Sequence, residues 1–205
     1  MANRMTTKIK ICGITNLEDS VMCVDLGIDA LGFIFTRSER KIEPDKAREI
    51  INKLPPFVTT VGIFMDQELA RVNEIADYTG IDVIQLHGNE PPEYCQRVNR
   101  KIIKRITITK DDTPRWLISK AEKYSVSAYL LDPGAGSGKV FDWNCALGID
   151  LPLIIAGGLT PENVGAAVKL LKPYGVDAVS GVEKSAGLKD RDKVKKFITE
   201  VRSCS

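Results

Sequence analysis

The residues able to do chemistry in this chain are few, and they stand at the ends of apolar runs. Cys12 ends the run that starts at Ile9, and Asp132 follows the run Ala128 to Leu131. A thiol and a carboxyl on two strands of one site could supply a base and an acid. Each also has a plainer reading, Cys12 as packing and Asp132 as a cap or ion-pair partner. Lys10 lies two residues before Cys12, so on a strand both point to the same face. A cation beneath the thiol is expected to lower its pKa from about 8.5 and favour the thiolate. His87 is the one histidine of the chain, which excludes mechanisms that need two imidazoles and His-rich metal sites. It reads as a neutral hydrogen-bonding residue beneath the site, as a proton carrier, or as a partner of Cys12 in thiol chemistry. Gly88 and Asn89 beside it suggest a turn and favour the first reading.

Gly157-Gly158 and Ser180-Gly181 end two later apolar runs. Glycines there let backbone N–H groups approach an anion, and a helix N-terminus adds its positive end. Taken singly they read as tight-turn glycines. Together, in two successive loops, they point to a phosphate. Arg40, within Arg37-Ser38-Glu39-Arg40-Lys41, could grip a substrate carboxylate with its planar fork or stand as a solvated charge. A further glycine-rich stretch, 134–139, follows Asp132.

The elements that must position these residues alternate. Apolar runs at 9–12, 30–35, 57–64, 83–86, 102–108, 128–131, 151–156 and 176–180 read as eight strands. Several are apolar throughout, as parallel strands covered by helices are. Thr15 and Glu18 form a T-x-x-E capping box for a first helix. Pro44 opens a second, with Ala47, Ile50, Ile51 and Leu54 on one face. Leu69, Val72, Ile75 and Ala76 mark a third. Thr160-Pro161-Glu162 opens another, and Val194, Phe197, Ile198 and Val201 mark the last. The helix after the sixth strand falls within 141–147. Eight βα units in 205 residues predict an α/β chain forming one (β/α)8 TIM barrel domain over residues 1–205. An open doubly wound sheet is the alternative, but no GxGxxG follows the first strand. In a barrel, functional residues lie at the C-terminal ends of the strands, which is where Cys12, His87, Asp132, the glycine pairs and the loop bearing Arg40 fall.

Composition narrows the function class. Hydrophobic residues make up 43% and charged residues 27%, too apolar for a disordered chain. Lysine and arginine number 29 against 27 aspartates and glutamates, for a net charge of +2. With both signs interspersed and no basic stripe, no nucleic-acid partner is expected. No apolar run reaches the roughly 20 residues of a membrane span, and the first residues carry no apolar leader segment. The five cysteines include no CxxC pair, so they read as reduced thiols of a cytoplasmic protein with no structural metal.

The motifs in order resemble those of the phosphoribosylanthranilate isomerase family. They are KICGITNLEDS (10–20), Gly32-Phe33 with Ser38-Glu39-Arg40, VGIF (61–64), QLHG (85–88), and Leu131-Asp132 with GSGK (136–139) and FDW (141–143). AGGLTPENV (156–164) and SGVE (180–183) complete the set. Val179 departs from the pattern, standing where a second small residue usually precedes Ser180-Gly181. The resemblance implies a (β/α)8 barrel that performs an Amadori rearrangement on a phosphorylated aminosugar. It implies Cys12 as general base and Asp132 as general acid. Arg40 would lie at the anthranilate end, and His87, Gly157, Gly158, Ser180 and Gly181 are the further substrate-binding candidates. No cofactor or metal is required, because the substrate builds its own electron sink. The assembly is expected to be a monomer or a homodimer. For Asp132 to donate a proton near neutral pH its carboxyl must be raised, as burial and the substrate anions would favour. Three alternatives stand beside this. One is the related isomerase of histidine biosynthesis, which takes a bisphosphate. The others are a non-catalytic barrel that binds phosphorylated ligands and a Cys12–His87 thiol hydrolase.

Overall fold

Parallel strands need a crossover between them, and this chain supplies a helix or a helical turn after each one. The computed structural model describes residues 6–134 and 140–205. Its first half runs β1 (Lys8–Cys12), α1 (Leu17–Asp25), β2 (Ala30–Ile34), α2 (Pro44–Ile51), β3 (Thr59–Phe64), α3 (Leu69–Thr79), β4 (Val83–Leu86) and α4 (Pro92–Cys95). The second half runs β5 (Lys101–Thr107), α5 (Pro114–Ala121), β6 (Ala128–Asp132), a 3-10 turn (Trp143–Ala146), β7 (Leu153–Ile155), α6 (Val164–Leu171) and β8 (Gly175–Ala178). A second 3-10 turn (Ser180–Val182), the short hairpin β9 (Glu183–Ser185) and β10 (Leu188–Lys189), and α7 (Arg191–Cys204) complete the order. Strands β1 to β8 pair in sequence order, and β8 returns to β1 to close the barrel. The closing register sets Lys10 opposite Asp177.

Side chains alternate along each strand, and the alternation sorts the core into two parts. Ile9 and Ile11 of β1 face the helices, in one large cluster with Leu31, Phe33, Leu86, Ile106 and Leu131. Cys12 faces the barrel axis with Val61, Ile63, Ile103, Ala128, Leu130 and Ile154. On the helical side, α7 buries Val194, Phe197, Ile198 and Val201, the i, i+3, i+4, i+7 stripe of its sequence. Among the described residues no helix is long and apolar enough to cross a membrane.

The structure corrects several local expectations. Thr15 does not cap α1. Asn16 does, its Oδ1 accepting from Asp19 N at 2.8 Å, while Thr15 donates to Gly187 O of the β9–β10 hairpin at 2.7 Å. The third strand begins at Thr59, leaving Phe57 96% exposed. The seventh and eighth strands are shorter than their apolar runs, because the chain turns to form the site loops. Helix α6 starts at Val164 rather than at Pro161. The preceding residues form a turn in which Asn163 accepts from Thr160 N at 2.8 Å and donates to Gly158 O at 2.9 Å. Segment 141–147 yields only a 3-10 turn. The glycine-rich residues 135–139, and with them the GSGK motif, lie outside the described residues.

One buried ion pair fixes the loop after β4. Lys104 Nζ donates to Glu90 Oε2 at 2.6 Å and to Gly88 O at 2.7 Å. The other oxygen of Glu90 accepts from the N–H groups of Asp66 and Gly88. Both side chains are almost fully buried, so removing one leaves an uncompensated charge. Lys104→Met is therefore expected to lower unfolding free energy by about 3–5 kcal/mol. The double variant Lys104→Met/Glu90→Leu is expected to recover part of that loss. Urea unfolding of the two variants checks this, and a Lys104→Met protein as stable as the parent contradicts it.

Candidate active site

Strand alternation carries polar side chains to the C-terminal mouth of the barrel. Inward positions run Lys10, Cys12 on β1; Gln85 then His87 on and after β4; Ile103, Arg105 on β5; Leu130, Asp132 on β6; and Asp177, Val179 on and after β8. Of these, Cys12, Gln85, His87, Asp132, Asp177 and Val179 line a cavity of about 460 Å³. Its lining includes all eight residues singled out from the sequence: Cys12, Arg40, His87, Asp132, Gly157, Gly158, Ser180 and Gly181. The cavity of about 290 Å³ at the other end of the barrel holds none of them.

Cys12 is 4% exposed, and its Sγ lies against Gly32 of β2. A Cβ at position 32 would fall 2.6 Å from that sulfur, so glycine is what leaves room for the thiol. Beneath it Lys10 Nζ donates to Asp177 Oδ2 at 2.8 Å, both side chains being 5% exposed. Burial works against the Lys10 charge, but Asp177 and Cys12 outweigh it and raise the lysine above its ordinary value. The expected resting thiolate is not found. Burial pushes the Cys12 thiol above its ordinary value of 9.0, and the opposing pull of Lys10 and Lys189 does not cancel it. Lys10 acts in the expected direction and is outweighed, because the thiol is nearly cut off from water.

Asp132 Oδ1 accepts from Gly134 N at 2.7 Å, with Arg105 Nη2 at 3.9 Å. Arg105 also donates to His87 O at 3.0 Å, so one guanidinium ties the ends of β4 and β6. His87 Nδ1 lies 3.2 Å from Gln85 Nε2. Burial, with help from Arg105, Lys10 and Lys104, lowers the His87 pKa to about 3. The ring is neutral at physiological pH, as in the first of its three readings. Its hydrogen bond to Gln85 leaves the hydrolase pairing with Cys12 without geometric support.

At the opposite wall Gly157 and Gly158 adopt φ values of +84° and +61°, a left-handed turn that glycine takes without strain. Among the described residues the N–H groups of Gly157, Gly158, Ser180 and Gly181 make no hydrogen bond within the protein. Four unpaired donors in two facing loops suit an anion such as phosphate. No α-helix begins directly after β8, contrary to the expected helix end, because the three-residue 3-10 turn and the hairpin intervene. Arg40 is not a solvated charge. Its side chain is 18% exposed and its guanidinium is held by Glu183, with Nη2 to Oε2 at 2.7 Å.

Sequence reasoning missed Arg105, Asp177, Lys189 and the role of Glu183. For Arg105 and Asp177 the signal was present as a charged residue at an inward register position within an apolar strand. Lys189 and Glu183 meet only through the hairpin, which no periodicity announced.

Two outcomes follow. The alkylation rate of Cys12, followed on its own peptide by mass spectrometry, is expected to rise with pH through an inflection above 9.0. Lys10→Met removes the stabilising cation and is expected to move that inflection higher; an unmoved inflection contradicts the Lys10 assignment. The ring-nitrogen chemical shifts of His87 are expected to stay constant from about pH 5 to 8, where an unperturbed imidazole would titrate. A transition near 6.5 contradicts the neutral, buried ring.

The family model for N-(5′-phosphoribosyl)anthranilate (PRA) isomerase matches residues 9–200. The chain is 48% identical over 206 residues to the N-(5′-phosphoribosyl)anthranilate isomerase of Geotalea daltonii, covering 97% of this chain and 98% of that protein. The solved phosphoribosyl anthranilate isomerase of Thermus thermophilus superposes with a TM-score of 0.89 at 36% identity, covering 97% of this chain and 100% of that one. A further solved phosphoribosyl anthranilate isomerase, in complex with reduced 1-(o-carboxyphenylamino)-1-deoxyribulose 5-phosphate, superposes with a TM-score of 0.82 at 36% identity, with the same coverage.

Proposed function

The chain belongs to the N-(5′-phosphoribosyl)anthranilate isomerase family, and from that premise we propose that Cys12 is its general base and Asp132 its general acid. The reaction is an Amadori rearrangement in tryptophan biosynthesis. It converts N-(5′-phosphoribosyl)anthranilate to 1-(o-carboxyphenylamino)-1-deoxyribulose 5-phosphate. The observation that carries the assignment is one cavity lined by the thiol of β1, the carboxyl of β6, unpaired N–H donors and an arginine.

The furanose must open first. Asp132 gives its proton to the ring oxygen as the C1′–O bond breaks, leaving an iminium at C1′ and a carboxylate on Asp132. The iminium acidifies the C2′ hydrogen. Cys12 thiolate takes that proton, and the electrons of the C2′–H bond form the C1′–C2′ double bond while the iminium nitrogen becomes neutral. The enolamine then moves a proton from its 2′-hydroxyl to C1′ and becomes the ketone. Cys12 rests as the thiol and gives its own proton to solvent before taking the one from C2′, so Asp132 alone ends one proton short, and a proton returned from solvent restores the starting state. Lys10 and Lys189 lower the cost of the thiolate, whose charge burial disfavours.

The rest of the site binds and orients. The N–H groups of Gly157, Gly158, Ser180 and Gly181 take the phosphate, the end that does not react. Arg40 takes the anthranilate carboxylate at the other end. Neutral His87 offers a hydrogen bond between them. Anchoring both ends holds C2′ near the thiol and the ring oxygen near the carboxyl, which lowers the entropic part of the barrier.

Substrate generated in situ, with product pulled on by indoleglycerol-phosphate synthase, gives a fluorescence assay that separates turnover from spontaneous decay. Cys12→Ser and Asp132→Asn are each expected to lower kcat by roughly 10²- to 10⁴-fold, with much smaller changes in KM. A parental rate in either variant removes that residue from the mechanism. Arg40→Ala is expected chiefly to raise KM; unchanged kinetics would take Arg40 out of substrate binding. Turnover of the bisphosphate substrate of histidine biosynthesis in place of phosphoribosylanthranilate would favour the sister reaction.

A further inference from the structure

Arg40 is not free to turn toward a ligand. Glu183 Oε1 accepts from Arg40 Nε at 2.9 Å, and Oε2 accepts from Nε at 3.0 Å and from Nη2 at 2.7 Å. A guanidinium offers two edges that can bind a carboxylate through paired hydrogen bonds, one formed by Nε and Nη2, the other by Nη1 and Nη2. Glu183 occupies the first edge. The second remains for a ligand.

Glu183 is itself fixed. Its side chain is 4% exposed, and Oε1 also accepts from Lys189 Nζ at 2.8 Å and from Gly187 N at 3.2 Å. Lys189 Nζ donates in turn to Cys12 O at 2.6 Å. The chain of contacts therefore runs from the backbone of Cys12 through Lys189 and Glu183 to the Arg40 fork. Burial pushes the Glu183 carboxyl up, but Arg40 and Lys189 outweigh it and hold the carboxyl below its ordinary range. The stem of Arg40 crosses Gly13, where an added Cβ would lie 2.8 Å from Arg40 Cδ. Two cations and one carboxylate leave this cluster one positive charge, which a single substrate carboxylate balances.

We propose that Glu183 is the positioning residue that aims Arg40: by holding the Nε edge it presents the Nη1–Nη2 edge to the carboxylate of the substrate. Glu183 thereby sets the preference for a carboxylated aniline over a plain one. The inference rests on Arg40 being the carboxylate's partner, as assigned above.

The test compares two substrates, N-(5′-phosphoribosyl)anthranilate and its analogue made with aniline, which lacks the carboxylate. Glu183→Gln is expected to raise KM roughly tenfold for the anthranilate substrate, the effect of losing one oriented charge-assisted pair, with kcat little changed. The same variant is expected to leave the aniline substrate unaffected. A merely structural role would slow both substrates alike, and that result overturns the proposal. Arg40→Ala separates the premise from the inference. If Arg40→Ala keeps the preference, Arg40 does not receive the carboxylate and both fall. If it loses the preference while Glu183→Gln keeps it, the Arg40 assignment stands and the role of Glu183 falls. Should Glu183→Gln fail to fold, Arg40→Lys decides. One ammonium beside an intact Glu183 has no second paired edge, so the preference is expected to drop as in Arg40→Ala. Full preference in Arg40→Lys overturns the proposal.

Discussion

Lys10 and Asp177 meet inside the seam where the last strand of the barrel returns to the first. They are partners in the β1–β8 register and 2.8 Å apart at their charged atoms. Neither charge is tolerable alone at that depth, since an isolated ion in a protein interior loses its hydration without return. Paired, they let the barrel close over a polar centre. They also put a cation directly under Cys12, where an apolar layer would leave the thiol with burial alone to set its chemistry. The carboxylate beside that cation limits its effect, and the resting thiol stays protonated.

From that centre the site is built outward by contacts that tie strand ends together. Gly32 on β2 makes space for the sulfur. Lys189 holds the carbonyl of Cys12, Glu183 holds Lys189, and Arg40 is held by Glu183. Across the mouth Arg105 joins the end of β4 to Asp132. The two walls differ in kind. One offers backbone N–H groups in glycine turns, suited to a small, highly charged anion. The other offers a guanidinium edge, suited to a planar carboxylate. These two kinds of donor suit the proposed substrate, with a phosphate at one end and an aromatic carboxylate at the other.

Much of the fold and the site could be read from the residue order. Eight short apolar runs with helical segments between them point to a parallel sheet covered by helices, which the structure closes into a barrel, and the ends of those runs carry Cys12, His87, Asp132 and the glycine pairs. Boundaries were harder for a physical reason. Apolar runs at 151–156 and 176–180 differ from the ladders because pairing with the neighbouring strands, which a run does not reveal, fixes the ends at Leu153–Ile155 and Gly175–Ala178. Asn16 displaced Thr15 as a helix cap because Thr15 is bound to Gly187, a contact 172 residues away in sequence. Separation along the chain also hid the contact of Glu183 with Arg40, 143 residues apart, which forms only when the hairpin folds back over β1. The pKa of Cys12 ran against expectation because spacing reveals a neighbouring cation and does not reveal how deeply both are buried.

The central claim is that Cys12 removes the C2′ proton from an iminium formed by Asp132. Single-turnover kinetics of Cys12→Ser with substrate carrying deuterium at C2′ tests it most directly. A weakened base makes proton removal the slow step, so the deuterated substrate should react several-fold more slowly than the ordinary one in that variant. Equal rates for the two isotopic forms would put the slowed step elsewhere and take the role of base away from Cys12.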